Sequence, residues 1–395
     1  MRNKRKRTIS IMISALILAL STACSSTVEK ADDSSPEMNI NKEYSDAENK
    51  ATESKTETET TVTTTSATTT TTTTTTTAPP VIKGNLYDSD GDLLMYSRQD
   101  ETGKEIRSFS ENYKISFANI LAEMSGGFDK TFEETLRNNN PAPVNGNENI
   151  GRSIQLTLDA DVQNAIYQYM QNMGIVGSVV VMRNDGSILS EVSYPSYDPD
   201  LFFSDQSYAD GLSWGACGNK AFQNATPGSC FKIMSEVIAD KNGITSLYDG
   251  TWIDDGATIV NWDHDTNYSY PIAERSLYSA FVNSSNIFFA KAFDQIGTQE
   301  VLSDLGNMFN FGPGYEIYCD FGSLENNIEV YCNDDLRRSA FGQSYVRTCP
   351  IYLAALGREA VFGDMVKPFV IKNVVDTNDF YSVVEQGSAP YEVIG

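Results

Sequence analysis

Apolar residues first appear as one block. Residues 9–20 are apolar except for Ser10 and Ser14, and Arg2, Lys4, Arg5, Lys6 and Arg7 precede them. The block is too short to span a bilayer comfortably, and the small residues Thr22, Ala23 and Cys24 close it. A signal peptide over 1–24 is expected. Residues 25–80 then carry almost no large apolar side chain, and 68–77 are all threonine. Such a stretch buries too little to offset its ordering entropy, so a disordered linker is expected there, reaching on the order of 180 Å if fully stretched. Folded patterning begins near residue 81. Residues 81–150 read as a small, irregular, β-rich module, with a tight turn at Asp88-Ser89-Asp90-Gly91-Asp92. That turn is not a calcium loop of the EF-hand type, because Gln99 stands where a bidentate glutamate is needed.

A larger unit opens near 154. Ile154, Leu156 and Leu158 alternate as in a strand. Asp159 can cap a helix whose Val162, Ile166, Tyr169 and Met170 share a face. Residues 177–182 and 187–192 are β-rich runs around Asp185-Gly186, a hairpin signal. Helices are predicted over 230–239, 286–296 and 350–361, and a strand over 366–375. No internal repeat appears beyond the threonine tract.

Charge narrows the function. The chain has 53 acidic and 29 basic residues, a formal net charge of −24, and so lacks the basic footprint of a nucleic-acid binder. Five cysteines follow Cys24; the odd number leaves at least one thiol unpaired, and Cys319 with Cys332 is one pairing open to the chain. His264 is the only histidine and stands among Asn261, Asp263 and Asp265. It reads as part of a solvated loop rather than a member of a triad or a metal site.

The chemical centre of the sequence is Pro227-Gly228-Ser229-Cys230-Phe231-Lys232. Pro-Gly breaks the chain before a predicted helix, which puts Ser229 at the helix mouth, where amides and dipole favour negative charge. Lys232 follows one turn later on the same face. A serine hydroxyl is a weak nucleophile, and a desolvated neutral lysine beside it could take its proton. Taken alone, the pattern is equally a capping serine followed by a surface lysine.

The surroundings decide. Asn219-Lys220-Ala221-Phe222, the Ser229 segment, Leu156-Thr157-Leu158-Asp159 and the run Tyr194-Pro195-Ser196-Tyr197-Asp198-Pro199 together resemble the class B penicillin-binding proteins. Lys83-Gly84-Asn85-Leu86-Tyr87-Asp88 resembles that family's opening motif. The likeness runs from about 83 to 375. It implies an α/β (α+β) transpeptidase domain of the penicillin-binding-protein and serine β-lactamase type over 151–395, with 81–150 as a pedestal or dimerisation-like module. It also implies that Ser284-Ser285-Asn286 is the second motif, with Ser284 relaying protons and Asn286 binding substrate and Lys232. A helix N-cap is the competing reading of those residues, and both can hold at once. Gly342-Gln343 and Pro350-Ile351-Tyr352 resemble another family stretch, read as structural.

By the same resemblance the substrates are peptidoglycan stem peptides, β-lactams would trap Ser229, no metal or organic cofactor is needed, and a glycosyltransferase partner is conceivable. The stretch Leu20-Ser21-Thr22-Ala23-Cys24 resembles a bacterial lipobox, which implies lipidation of Cys24 and residence on the extracellular face of the bacterial membrane. The aliphatic residue sits one place early. The family's Lys-Thr-Gly motif does not follow Ser284. An incomplete domain, inactive or unstable, is therefore expected, with open sheet edges. Two alternatives stay open: a non-catalytic surface protein that binds wall or divisome partners, and a serine β-lactamase or β-lactam sensor.

Overall fold

The computed structural model describes residues 81–122, 127–138, 149–213, 215–249, 252–254, 257–259 and 273–394. The expected signal peptide, linker and lipidation site at Cys24, and the loop around His264, lie outside them.

The described residues form a sheet-and-helix body whose main sheet draws on widely separated parts of the chain. Strands β1 (Leu86–Tyr87), β2 (Leu93–Gln99), β3 (Glu105–Phe109) and β4 (Ser153–Leu156) join β13 (Ile371–Asp376) and β14 (Asp379–Gln386) in the order β14-β13-β4-β1-β2-β3. β1 runs parallel to β4, with Leu86 opposite Ile154, and β13 runs antiparallel to β4, with Val374 opposite Ile154. The boundary expected at residue 150 thus falls between strands that share one sheet. Ile154, Leu156 and Leu158, the alternating set, are fully buried together with Leu86 and Val375, but Gln155 and Thr157 between them are buried as well, so the strand is covered on both faces.

Two polar devices hold the first part of the chain. The Asp88 carboxylate accepts the amides of Asp90 (2.9 Å), Asp92 (2.7 Å) and Ala160 (3.1 Å), so the acidic run is a turn stapled onto the next helix. Asp129 sits between Lys83 Nζ (2.9 Å) and the Arg107 guanidinium (2.6 Å), all three side chains largely buried. Around them lie α1 (Lys114–Leu121), α2 (Phe128–Thr131) and α3 (Glu133–Leu136).

Helix α4 (Ala160–Met173) starts as expected. Asp159 accepts the amide of Val162 (3.0 Å), and Gly174 ends the helix at φ 64°. β5 (Gly177–Met182) and β6 (Ile188–Tyr194) make the predicted hairpin. It is a two-stranded sheet of its own, tied to the ends of the main sheet's strands by a bridge between Ser187 and Phe369 and by bonds from Thr157 Oγ1 to the Ile188 carbonyl (2.7 Å) and from the Asp159 amide to the Leu189 carbonyl (2.9 Å). Short helices α5 (Pro199–Ser204) and α6 (Gln206–Asp210) follow.

The helical half contains α7 (Lys232–Lys241), α8 (Leu277–Val282), α9 (Asn286–Ile296), α10 (Thr298–Phe309), α11 (Asn333–Ser339) and α12 (Pro350–Phe362). Between them run the strand pairs β7 (Ser246–Asp249) with β10 (Ala273–Ser276), β8 (Trp252–Asp254) with β9 (Ala257–Ile259), and β11 (Glu316–Cys319) with β12 (Gly322–Glu325). Phe288, Phe289, Ala292 and Phe293 bury one face of α9, which packs against α7 and α11. Each such side chain is worth roughly 1.5–3 kcal/mol of burial.

One expectation needs correction, and one open question about the cysteines is answered. The strand predicted over 366–375 begins only at Ile371; Pro368 brings no amide to a ladder, and residues 366–370 meet their neighbours through single bridges. Cys319 and Cys332 are both free: Cys319 turns towards the Ile317 carbonyl, and Cys332 caps α11 in an exposed position beside Asp335.

Candidate active site

The segment that carries Ser229 is shaped by its neighbours in sequence. Gly228 takes φ 59°, which a β-carbon would strain, and starts a single 3₁₀ turn, Gly228–Phe231, that runs straight into α7. Within that turn Ser229 and Cys230 are exposed or half-exposed, while Phe231 is fully buried. The Phe231 ring meets Phe311 edge-on at 5.4 Å, and Phe311 meets Tyr352 at 5.5 Å. One side chain thereby anchors the exposed hydroxyl to the core.

Lys232 is 2 % exposed, although its neighbour two places back faces solvent. Its side-chain nitrogen lies within hydrogen-bond reach of four oxygens, Ser229 Oγ (3.2 Å), Ser284 Oγ (2.9 Å), the Ser284 carbonyl (2.5 Å) and Asn286 Oδ1 (2.5 Å), one more than the three protons of an ammonium can serve at once. Ser284 Oγ also donates to Ser229 Oγ at 3.2 Å. The structure therefore brings together all four residues singled out from sequence: Ser229, Lys232, Ser284 and Asn286. Cys24 and His264 lie outside the described residues.

The two readings of Ser284-Ser285-Asn286 separate onto different atoms. Ser285 is the N-cap, its hydroxyl accepting the amide of Phe288 (3.2 Å). Ser284 and Asn286, on either side of the cap, turn to Lys232. Ser284 reaches it from a left-handed backbone, φ 55°, which is uncommon for a residue with a β-carbon and recurs at functional positions. The preceding helix, α8, ends there with the amides of Ser284 and Ser285 returned to Phe281 and Ala280.

Support from behind comes from the stretch read as structural. Gly228 donates its amide to Gly342 (2.9 Å), and Ala225 and Thr348 exchange both backbone bonds (2.9 and 3.0 Å). Ser235 on α7 donates to the Ala340 carbonyl (2.7 Å). Arg347 donates to Thr226 Oγ1 (2.9 Å). None of these contacts has a local sequence signal, because each partner comes from more than a hundred residues away.

Glu191 was also missed. It is completely buried on β6, its Oε1 accepts from Asn219 Nδ2 (2.5 Å), and its Oε2 has no hydrogen-bond partner. Burial drives its carboxyl up to about 7, with only the Asn219 bond opposing. Asn219 leads into the Ser229 segment and lines a cavity of about 520 Å³, shared with Ile120, Phe128, Cys217 and Phe321. Ser229, Lys232, Ser284 and Asn286 do not line that cavity.

The geometry is that of an activated serine: a hydroxyl, a buried amine and a second hydroxyl in mutual hydrogen-bond reach at a helix mouth. A family model for the penicillin binding protein transpeptidase domain matches residues 177–391. Penicillin-binding protein 3 of Bacillus subtilis is 27 % identical over 260 residues, 60 % of this chain and 38 % of that protein. A peptidoglycan D,D-transpeptidase FtsI homolog of Mesostigma viride is 25 % identical over 301 residues, 66 % of this chain and 48 % of that protein. The chain thus spans less than half the length of either relative. Among solved structures, the ceftriaxone acyl-enzyme complex of penicillin-binding protein A from M. tuberculosis superposes with a TM-score of 0.64 at 20 % identity, covering 78 % of this chain and 75 % of that one. The D,D-transpeptidase domain of a peptidoglycan glycosyltransferase from Eggerthella lenta gives 0.62 at 22 %, covering 80 % and 77 %.

Proposed function

Because the chain belongs to the penicillin-binding protein transpeptidase family, we propose that it is a peptidoglycan D,D-transpeptidase working through an ester on Ser229. The carrying observation is the Lys232 side-chain nitrogen, buried and within 3.2 Å of both Ser229 Oγ and Ser284 Oγ.

In the first step the Ser229 hydroxyl oxygen bonds to the penultimate D-alanine carbonyl of a stem peptide. Its proton passes to neutral Lys232. The peptide C–N bond breaks, and the departing D-alanine amine collects a proton through Ser284. In the second step an amine of a neighbouring strand attacks the ester, returns its surplus proton along the same path and frees Ser229 as the new amide forms. The amide of Ser229 is the proposed donor to the developing oxyanion. Asn286 holds Lys232 by its carbonyl oxygen and is the proposed substrate-binding neighbour of the nucleophile. A β-lactam follows the first step only, because its amine stays tethered to the acyl group.

The family works at the cell envelope and handles peptidoglycan and β-lactams. A lipid anchor on Cys24, a linker over 25–80, a separate role for 81–150 and a glycosyltransferase partner belong to the same proposal and rest on sequence.

Fluorescent penicillin tests it. The folded protein should gain the mass of one β-lactam, the adduct should map to Ser229, and Ser229→Ala should stay unlabelled. A folded protein that takes no label would defeat the transpeptidase reading and favour a non-catalytic wall-binding one. Rapid loss of the label by hydrolysis would point to a β-lactamase instead.

A further inference from the structure

We propose that Arg347 receives a carboxylate on the acyl portion of the donor peptide, and so gives this site a preference for acidic donors. The inference rests on the transpeptidase reading above and adds the chemistry of the donor side chain.

In a chain with 53 acidic and 29 basic residues, arginines find acids readily. Arg107, Arg337, Arg338 and Arg358 each pair with an aspartate. Arg347 does not. One of its terminal nitrogens lies within hydrogen-bond reach of three neutral oxygens, Thr226 Oγ1 (2.9 Å), the Ser344 carbonyl (2.8 Å) and the Val346 carbonyl (2.7 Å), which its two protons share. Among the described residues no carboxylate lies within ion-pair distance of it, and its Nε and other terminal nitrogen make no bond to the protein. The result is a half-buried guanidinium, held in place, with one edge unused. That edge has the planar fork that matches a carboxylate.

Its position fits a donor group. Thr226 is three residues before Ser229, so their α-carbons are at most about 11 Å apart, and the exchange of bonds between Ala225 and Thr348 fixes Arg347 against that stretch. Lys232 and Ser284 gather at Ser229 from the chain that follows it, where the leaving amine must collect its proton. Arg347 instead bonds to Thr226, on the stretch that precedes Ser229. The acyl portion of the donor extends away from the leaving amine, so a carboxylate that meets Arg347 belongs to the acyl portion rather than to the departing D-alanine.

Benzylpenicillin and carbenicillin differ by one carboxylate on the acyl side chain and share the rest of the molecule. Their acylation rate constants are compared on the full protein and on Arg347→Gln and Arg347→Lys. The carbenicillin-to-benzylpenicillin ratio should fall about tenfold or more in Arg347→Gln, as expected for loss of a charge-assisted bond, and by less in Arg347→Lys. A ratio unchanged in both variants, whatever the separate rates do, makes Arg347 a structural tie and overturns the inference. Should Arg347→Gln fail to fold, the Arg347→Lys ratio decides alone: a fall supports, no change overturns. If neither penicillin acylates the unaltered protein, the transpeptidase reading falls and takes the inference with it.

Discussion

Gly342 accepts the amide of Gly228 at 2.9 Å, and a β-carbon built on Gly342 would stand 2.1 Å from the Gly228 carbonyl oxygen. The turn that displays Ser229 is therefore seated on bare backbone, with Gly342 itself at φ 72°.

Gly342→Ala should consequently displace the Ser229 turn. A misplacement of about an ångström at a reacting group costs on the order of 100-fold in rate, so penicillin acylation should drop by about that much. Stability should fall by about 1–3 kcal/mol from the strained backbone. Stopped-flow acylation and urea unfolding measure the two separately; an acylation rate within a factor of about three of the parent would mean that the seat does not set the turn.

Ser284 offers a cleaner separation of backbone from chemistry. Its left-handed φ of 55° suits glycine better than any other residue. Ser284→Gly should keep or slightly raise the melting temperature, yet slow acylation by about 10²–10⁴-fold through loss of the proton relay. Rapid labelling of this variant would remove Ser284 from the proposed mechanism.

Glu191 makes stability depend on pH. Its carboxyl is raised from 4.5 to about 7 by burial, so the folded state holds a proton that the unfolded state has already released. Stability should therefore decline as pH rises from about 4.5 to about 7, and stay low above that window. The span corresponds to about 3 kcal/mol. Glu191→Gln should flatten this slope and exceed the parent at pH 8, with the two proteins close at pH 4.5. Chemical denaturation across that range is the check, and parallel slopes would contradict the assignment.

The buried trio of Lys83, Arg107 and Asp129 predicts a different failure. Asp129→Ala leaves two buried cations without their shared anion, at a cost of about 3–5 kcal/mol. A urea midpoint that barely moves would show that water relieves the pair.

Local chemistry was readable in the sequence wherever one residue could report on its own turn. Asp159 caps α4 and Gly174 ends it; Asp185-Gly186 makes the hairpin; Ser229 and Lys232 lie one turn apart, as their spacing demands. The cap of α9 was legible in kind but not in residue, because three adjacent polar residues compete and only backbone geometry assigns Ser285 to the amides and its neighbours to Lys232. Contacts that depend on the tertiary path left no such trace. Glu191 sits in a strand covered on both sides, so alternation gave no sign of a buried acid. Arg347 and Gly342 acquire meaning only once the chain has returned to residues 225–228. The strand expected from 366 was over-extended because its apolar run hid the missing amide of Pro368.

The pairing of Ile154 with both Leu86 and Val374 has a consequence for biogenesis. A ribosome or export channel delivers these three strands in order, and the middle one must wait for the last before its second edge is filled. Until about residue 376 emerges, β4 carries an open edge, a state that invites aggregation and slows productive folding. The strand order thus places completion of this sheet after the whole helical half has been made, rather than before it.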